Sequence, residues 1–131
     1  MKTKNLLKVS VVGALLAGTA AWAGLKSTHY VTINTSAREA FGSYADARGS
    51  GDRTQAIGCS IHGFSRGSST VICQAQDASG FSVYCLSSDP ALVTAATSQS
   101  DAAYIRFTYD DNGACTYLYV GNSSNFAPRQ P

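Results

Sequence analysis

One short motif in this sequence has the pattern of a hydrolase nucleophile. Residues 63–67 read G-F-S-R-G, which matches G-x-S-x-G, and His62 stands directly before them. The serine of that class lies on a sharp turn from a strand into a helix, and its acid and histidine follow later in the chain. Here a strand is predicted to follow, and both histidines, His29 and His62, precede Ser65. We interpret the motif as a hairpin loop and predict that the protein is not an enzyme and has no catalytic residues.

Two other motifs have features of metal sites. Cys59 and His62 have the C-x2-H spacing of a zinc ligand pair, but zinc sites usually combine two such pairs, and the next cysteines come 14 and 26 positions after Cys59. Residues 110–113, D-D-N-G, resemble the start of a calcium loop. That loop needs a glutamate at its twelfth position, which is Gly121 here. We therefore predict a β-turn at 110–113, no metal and no cofactor.

Aromatic residues form the strongest candidate site. In a hairpin predicted over 103–109 and 114–120, one face carries six residues: Tyr104, Arg106, Thr108, Cys115, Tyr117 and Tyr119. Aromatic faces stack on sugar rings or bases, and arginine adds directional hydrogen-bond donors. The predicted ligand-binding residues are Tyr104, Arg106, Tyr117 and Tyr119. Because Cys115 must reach another cysteine, this face is also predicted to be largely covered by the rest of the domain.

The beginning of the chain has the pattern of a signal for export. Three lysines precede an apolar segment over 11–21, and residues 21–23, A-W-A, form an A-x-A cleavage site. Cleavage after Ala23 removes those lysines and leaves 108 residues with seven basic and eight acidic side chains, a formal charge of −1. We predict a secreted or periplasmic protein that has no nucleic-acid partner held by charge and no membrane span after cleavage.

The composition of these 108 residues favours β-structure. They contain 16 serines and nine threonines but one lysine and one glutamate, and hydroxyl side chains compete with helical hydrogen bonds. We predict a mainly β domain over 24–120, a small antiparallel sheet or sandwich of five or six strands with one short helix and two disulfides. Residues 121–131 are polar, contain two prolines and are predicted to form a loosely held tail.

Alternation and turn residues predict the order of the elements. A strand is expected at 28–34, and residues 38–48 are ambiguous between a helix and a second strand that closes a hairpin, with the strand preferred. Three consecutive strands follow at 55–64, 69–76 and 81–87. A helix is expected at 88–100, where Ser88 or Asp89 can cap it and Pro90 suits its first position. The last hairpin is predicted to align Ile105 and Phe107 with Leu118 and Val120, and these four residues form its apolar face.

The four cysteines are expected to form two disulfides, as is usual in an oxidising compartment. Turns centred on Arg66 and Ser79 place Cys59 opposite Cys73, and Cys73 opposite Cys85. This register gathers the apolar residues of the three strands on one face: Ile57, Cys59, Ile61, Val71, Cys73, Ala75, Phe81, Val83 and Cys85. A Cys59–Cys85 bond would skip a strand, a distance of about 9–10 Å. Two pairings remain open, Cys59–Cys73 with Cys85–Cys115, or Cys73–Cys85 with Cys59–Cys115.

Several short segments together resemble a group of small exported bacterial proteins with four cysteines and no assigned activity. The segments are Ile57-Gly58-Cys59, Ser88-Asp89-Pro90 and residues 107–120. The likeness extends over most of the chain after residue 23. It implies export and a shared fold, and it carries over no catalytic residues.

The sequence supports two functional hypotheses of different classes, and a small secreted hydrolase is the third and least favoured alternative. The first is a non-enzymatic binding or surface and matrix protein, with polysaccharide or the cell envelope as its partner. The second is a secreted inhibitor of a hydrolase that presents the loop formed by Phe64, Ser65, Arg66, Gly67 and Ser68 on a disulfide-braced scaffold, because a preorganised loop binds at a lower entropic cost.

Overall fold

The computed structural model of the protein describes residues 24–126, so the predicted signal peptide and residues 127–131 lie outside the described residues. Within that range the chain forms seven strands, two α-helices and one turn of 3-10 helix. In chain order they are β1 (Thr32–Asn34), β2 (Glu39–Ser43), α1 (Tyr44–Arg48), β3 (Ala56–His62), β4 (Thr70–Gln76), β5 (Ser82–Ser87), α2 (Pro90–Thr97), β6 (Tyr104–Tyr109), β7 (Cys115–Gly121) and the 3-10 turn Ser124–Phe126.

The strands form two antiparallel sheets. One has four strands in the order β1-β2-β6-β7, and the other is the meander β3-β4-β5. An isolated parallel bridge between Leu86 and Ala114 joins β5 to the hairpin of β6 and β7. The predicted fold class, a mainly β antiparallel domain with two disulfides, is confirmed. The described residues contain one or two strands more than the five or six predicted, and a second short helix.

Residues 38–48, which the sequence left ambiguous, divide between a strand and a helix. β2 pairs with β1 and closes the predicted hairpin, and the chain then enters α1 at Ser43. The Ser43 hydroxyl accepts a hydrogen bond from the backbone N–H of Asp46 and donates one to the Asp46 carboxylate. This N-cap stabilises the first turn of the helix. The preference for a strand therefore holds only for the first half of the segment.

The two sheets share one hydrophobic core. The meander contributes Val71, Cys73, Ala75 and Cys85, and the four-stranded sheet contributes Ala40, Ile105, Phe107, Cys115 and Leu118. The predicted register of the meander is confirmed, with Cys59 opposite Cys73 and Cys73 opposite Cys85. Two members of its predicted apolar face, Ile61 and Phe81, are exposed instead, because Ile61 lies on the edge strand β3 and Phe81 precedes the first residue of β5.

Helix α2 lies where the sequence places it, over the middle of the predicted range. Asp89 caps it by accepting a hydrogen bond from the Ala91 N–H, and Pro90 occupies its first position. Ala96 is buried where the helix packs on β7, β3 and β4. No helix within residues 24–126 has both the length and the apolar character needed to cross a membrane.

The disulfides pair Cys59 with Cys73 and Cys85 with Cys115, the first of the two predicted alternatives. The Gln99 side-chain amide hydrogen-bonds to both the N–H and the carbonyl of Cys59, so these groups point away from β4. Cys59 and Cys73 therefore form a non-hydrogen-bonded pair, in which side chains approach most closely. In the alternating pattern of the ladder, Cys73 and Cys85 then form the wider, hydrogen-bonded type of pair. Two disulfides are consistent with an extracellular or periplasmic protein.

Cys115 was predicted to share a face with the tyrosines, and it lies on the opposite, buried face of the sheet. Thr108 pairs with Tyr117, but Tyr109 pairs with Cys115, so Thr116 is an extra residue that forms a β-bulge. The bulge moves Cys115 from the tyrosine face to the core face, where it reaches Cys85. The cysteine face of the meander consequently turns towards Ile105 and Phe107 and not towards the tyrosines.

Candidate functional site

The outer face of the four-stranded sheet gathers aromatic and charged side chains from three strands. Two neighbouring rows cross β2, β6 and β7 in register: Phe41, Arg106 and Tyr119, and Glu39, Thr108 and Tyr117. We call Phe41, Arg106, Tyr117 and Tyr119 the tyrosine platform. Three of its members were predicted from the alternation within the last hairpin.

The two platform tyrosines are available to a ligand. Tyr117 and Tyr119 are 47% and 45% exposed. The prediction that this face is largely covered is therefore wrong for these two residues, and the reason is the bulge at Thr116, which removes the need for another element to meet Cys115 on this side. Alternate residues of one strand lie about 6.6 Å apart, so both rings stand on the same face of a hydrogen-bonded strand.

Tyr104, the third predicted tyrosine, lies at the end of the platform under other rings. Its ring stacks on Phe126 with centroids 5.0 Å apart and meets the His29 and Tyr119 rings edge to face. Burial raises the pKa of Tyr104 above its usual range, as expected for a phenol partly removed from water. These contacts make Tyr104 a support for Tyr119 and not a freely exposed ligand contact.

Residues 121–126, the first part of the segment predicted as a tail, complete this support. Asn122 hydrogen-bonds to Ser98 and Ser100, and Phe126 carries the ring that covers Tyr104. Gly121 matters for the platform itself, because a Cβ there would lie 2.9 Å from Cε1 of Tyr119 and 3.2 Å from Cε2 of Phe126. The missing side chain leaves room for the Tyr119 ring.

Arg106 is held in place by Glu39. The Nε and Nη2 of Arg106 donate to Oε2 of Glu39 at 3.0 and 2.5 Å. This ion pair cancels both formal charges on the face and fixes the orientation of the guanidinium. The guanidinium has five N–H donors, so the pair leaves others that can bind a ligand.

Phe41 and Glu39 were not singled out from the sequence. Both come from β2, which pairs with β6 across more than sixty intervening residues, so no local pattern indicates their proximity to Arg106. The alternation of Glu39, Phe41 and Ser43 indicates that their side chains share one face of a strand. It does not indicate which strands lie beside that strand.

The loop predicted as an inhibitory segment lies at the tip of the β3–β4 hairpin, away from the platform strands. Phe64, Ser65, Arg66 and Gly67 are all exposed, and the Gly67 N–H donates to the Phe64 carbonyl at 3.3 Å, which closes a turn. His62 and Ser65 are both exposed, and the described residues show no hydrogen bond between them. After this loop the chain enters β4, not a helix, so the hairpin interpretation of residues 63–67 is confirmed.

The motifs with metal-site features are engaged in other interactions. Asp110 accepts hydrogen bonds from the N–H groups of Asn112 and Ala114, and Asp111 forms an ion pair with Arg38 at 2.6 Å. Residues 110–113 therefore form the predicted turn. Among residues 24–126, the group of side chains close enough to share a metal ion consists of Cys73, Cys85 and Cys115, which are in disulfides.

Comparison of the chain with known protein families, with curated proteins and with solved structures finds no match.

Proposed function

We propose that the protein is a non-enzymatic binding protein that holds an uncharged polysaccharide on the tyrosine platform. The observation that carries this proposal is the exposure of Tyr117 and Tyr119 side by side on one strand, next to the Arg106–Glu39 ion pair. Tyrosine supplies a large, rigid and amphipathic contact surface at a low cost in side-chain entropy.

The charge of the platform favours a neutral ligand. Arg106 is paired with Glu39, so an anionic polymer gains little attraction from this face and a cationic one gains none. Hydroxyl-rich ligands suit the remaining guanidinium donors, the tyrosine hydroxyls and the Thr108 hydroxyl, which is already hydrogen-bonded to Thr116. Such a shallow surface binds one repeat weakly, and a polymer or a cell envelope supplies many repeats and raises the apparent affinity.

Replacing both platform tyrosines by alanine is expected to weaken binding strongly. An aromatic contact contributes about 0.5–1.5 kcal/mol beyond the area that it buries, so Tyr117→Ala with Tyr119→Ala is expected to reduce affinity at least about tenfold. The measurement is affinity electrophoresis of residues 24–131 in gels that contain cellulose derivatives, β-1,3-glucan or mannan, with alginate as the anionic comparison.

Tyr84→Ala is the matched control, because Tyr84 is 66% exposed on the other sheet. It is expected to bind as the unchanged protein does. Equal retardation of the double variant and the unchanged protein, with near-ultraviolet circular dichroism showing both folded, would rule out the platform. Retardation by alginate alone would rule out an uncharged ligand.

A second candidate function is inhibition of a secreted hydrolase by the 64–67 loop. The observation that favours it is the unbroken exposure of residues 60–68 above the Cys59–Cys73 disulfide. A loop braced at its base loses little entropy on binding. This function predicts a tight protein partner of fixed stoichiometry, whereas the first predicts a polymer.

Arg66→Ala is expected to abolish inhibition if the loop inserts into a protease that accepts basic side chains. The test measures residual activity of trypsin-like and subtilisin-like proteases with the oxidised protein in excess. Arg53→Ala, another exposed arginine, serves as the control. The inhibitor function is excluded for these proteases if the unchanged protein leaves their activity intact, or if Arg66→Ala and scrambling of residues 64–68 inhibit as well as the original loop.

A further inference from the structure

All four cysteines lie close together although they form two separate disulfides. Cys59, Cys73 and Cys85 follow one another across β3, β4 and β5, and Cys115 reaches Cys85 from the other sheet. The Sγ atoms of Cys73, Cys85 and Cys115 all lie within 4.8 Å of one another. One sulfur of the first disulfide is therefore adjacent to both sulfurs of the second.

The two disulfides differ in their access to solvent. Cys59 is partly exposed at the edge strand β3, whereas Cys73, Cys85 and Cys115 are buried. Of the four residues, Cys59 is therefore the nearest to solvent and the one that a dissolved thiolate would approach. Attack on one sulfur of a disulfide expels the other sulfur as the leaving group, so attack at Cys59 releases Cys73 inside the core.

We propose that Cys59 is a thiol-reactive site from which disulfide exchange passes to the buried Cys85–Cys115 bond. In the first step an external thiolate forms a mixed disulfide with Cys59, the Cys59–Cys73 bond breaks, and Cys73 leaves as a thiolate. The co-reactant is a small thiol or the dithiol of an oxidoreductase.

In the second step the Cys73 thiolate attacks the neighbouring disulfide. A bond forms from Cys73 to Cys115 or Cys85, the Cys85–Cys115 bond breaks, and the displaced cysteine leaves as a thiolate that takes a proton from water. The number of disulfides is conserved in each step. Proximity makes this transfer effectively unimolecular, which favours it over attack by a second external thiol.

The exchange has a structural consequence because Cys85–Cys115 is the disulfide that connects the two sheets. A Cys73–Cys85 product connects strands within the meander and leaves the sheets without a covalent link. Exchange that begins at Cys59 and ends at this product would thus release a buried cross-link, whereas a Cys73–Cys115 product would keep the two sheets linked.

Two single variants separate the Cys73 thiol from the Cys59 thiol. Cys59→Ala leaves the Cys73 thiol beside Cys85 and Cys115, and it is expected to yield a mixture that includes Cys73–Cys85 or Cys73–Cys115 without added reductant. Cys73→Ala leaves the more distant Cys59 thiol and is expected to retain Cys85–Cys115 alone. The readout is alkylation at low pH followed by peptide mass spectrometry. Exclusive Cys85–Cys115 pairing in both variants overturns the proposal.

A kinetic test keeps all four cysteines in the reference protein. With millimolar glutathione, the Cys85–Cys115 bond of the unchanged protein is expected to open at least about tenfold faster than in the Cys59→Ala, Cys73→Ala double variant. The double variant lacks one cross-link, so any effect of global unfolding would make its remaining bond more reactive and would oppose this result. Equal rates, or a faster rate in the double variant, contradict the proposal.

Discussion

Replacing Phe107 by alanine is expected to lower the free energy of unfolding by about 3–5 kcal/mol. Phe107 is fully buried, and it pairs across the four-stranded sheet with Ala40 and Leu118, which are also buried. Removal of the ring takes away its contacts and leaves a cavity in the core. The core lies between two hydrogen-bonded sheets, which do not readily move together to fill the cavity. Small domains are stable by about 5–15 kcal/mol, so this change removes a large share of the total.

The control for this variant is Phe81→Ala. Phe81 is 49% exposed directly before β5, so its removal is expected to change the stability by no more than about 0.5 kcal/mol. Urea unfolding followed by far-ultraviolet circular dichroism measures both. Similar midpoints for the two variants would mean that Phe107 does not lie in the core described above.

Removal of the inter-sheet disulfide is the second large expected effect. The Cys85→Ala, Cys115→Ala double variant is expected to lose about 3.5 kcal/mol, because the cross-link closes a segment with a sequence separation of 30 and restricts the unfolded chain accordingly. Both cysteines are buried, so the loss of sulfur contacts in the core acts in the same direction.

The Cys59→Ala, Cys73→Ala variant provides the comparison. Its separation is 14, for which the same relation gives about 3 kcal/mol, and Cys59 is partly exposed at an edge. We expect the inter-sheet variant to have the lower midpoint in urea under identical oxidising conditions. A larger loss on removal of Cys59–Cys73 would show that the β3–β4 hairpin, and not the contact between sheets, limits the stability.

Sequence alone determined the features that depend on neighbouring residues. Short turns join β3 to β4 and β4 to β5, so the turn residues set the register that aligns Cys59, Cys73 and Cys85. The alignment of Ile105 with Val120 and the start of α2 at Pro90 were also predicted correctly, because a hairpin turn and an N-cap act over a few residues. The signal peptide, the ligand and the partner stay predictions.

Tertiary structure decided the features that turn residues and alternation along a strand do not encode. The Thr116 bulge shifts Cys115 by one position, and a one-residue shift moves a side chain to the opposite face of a strand. That shift places Cys115 on the core face, where it bonds to Cys85, and leaves Tyr117 and Tyr119 exposed. Pairing of β2 with β6 brings Glu39 to Arg106, and the energy of such long-range pairing comes from the shared core, which no local pattern encodes.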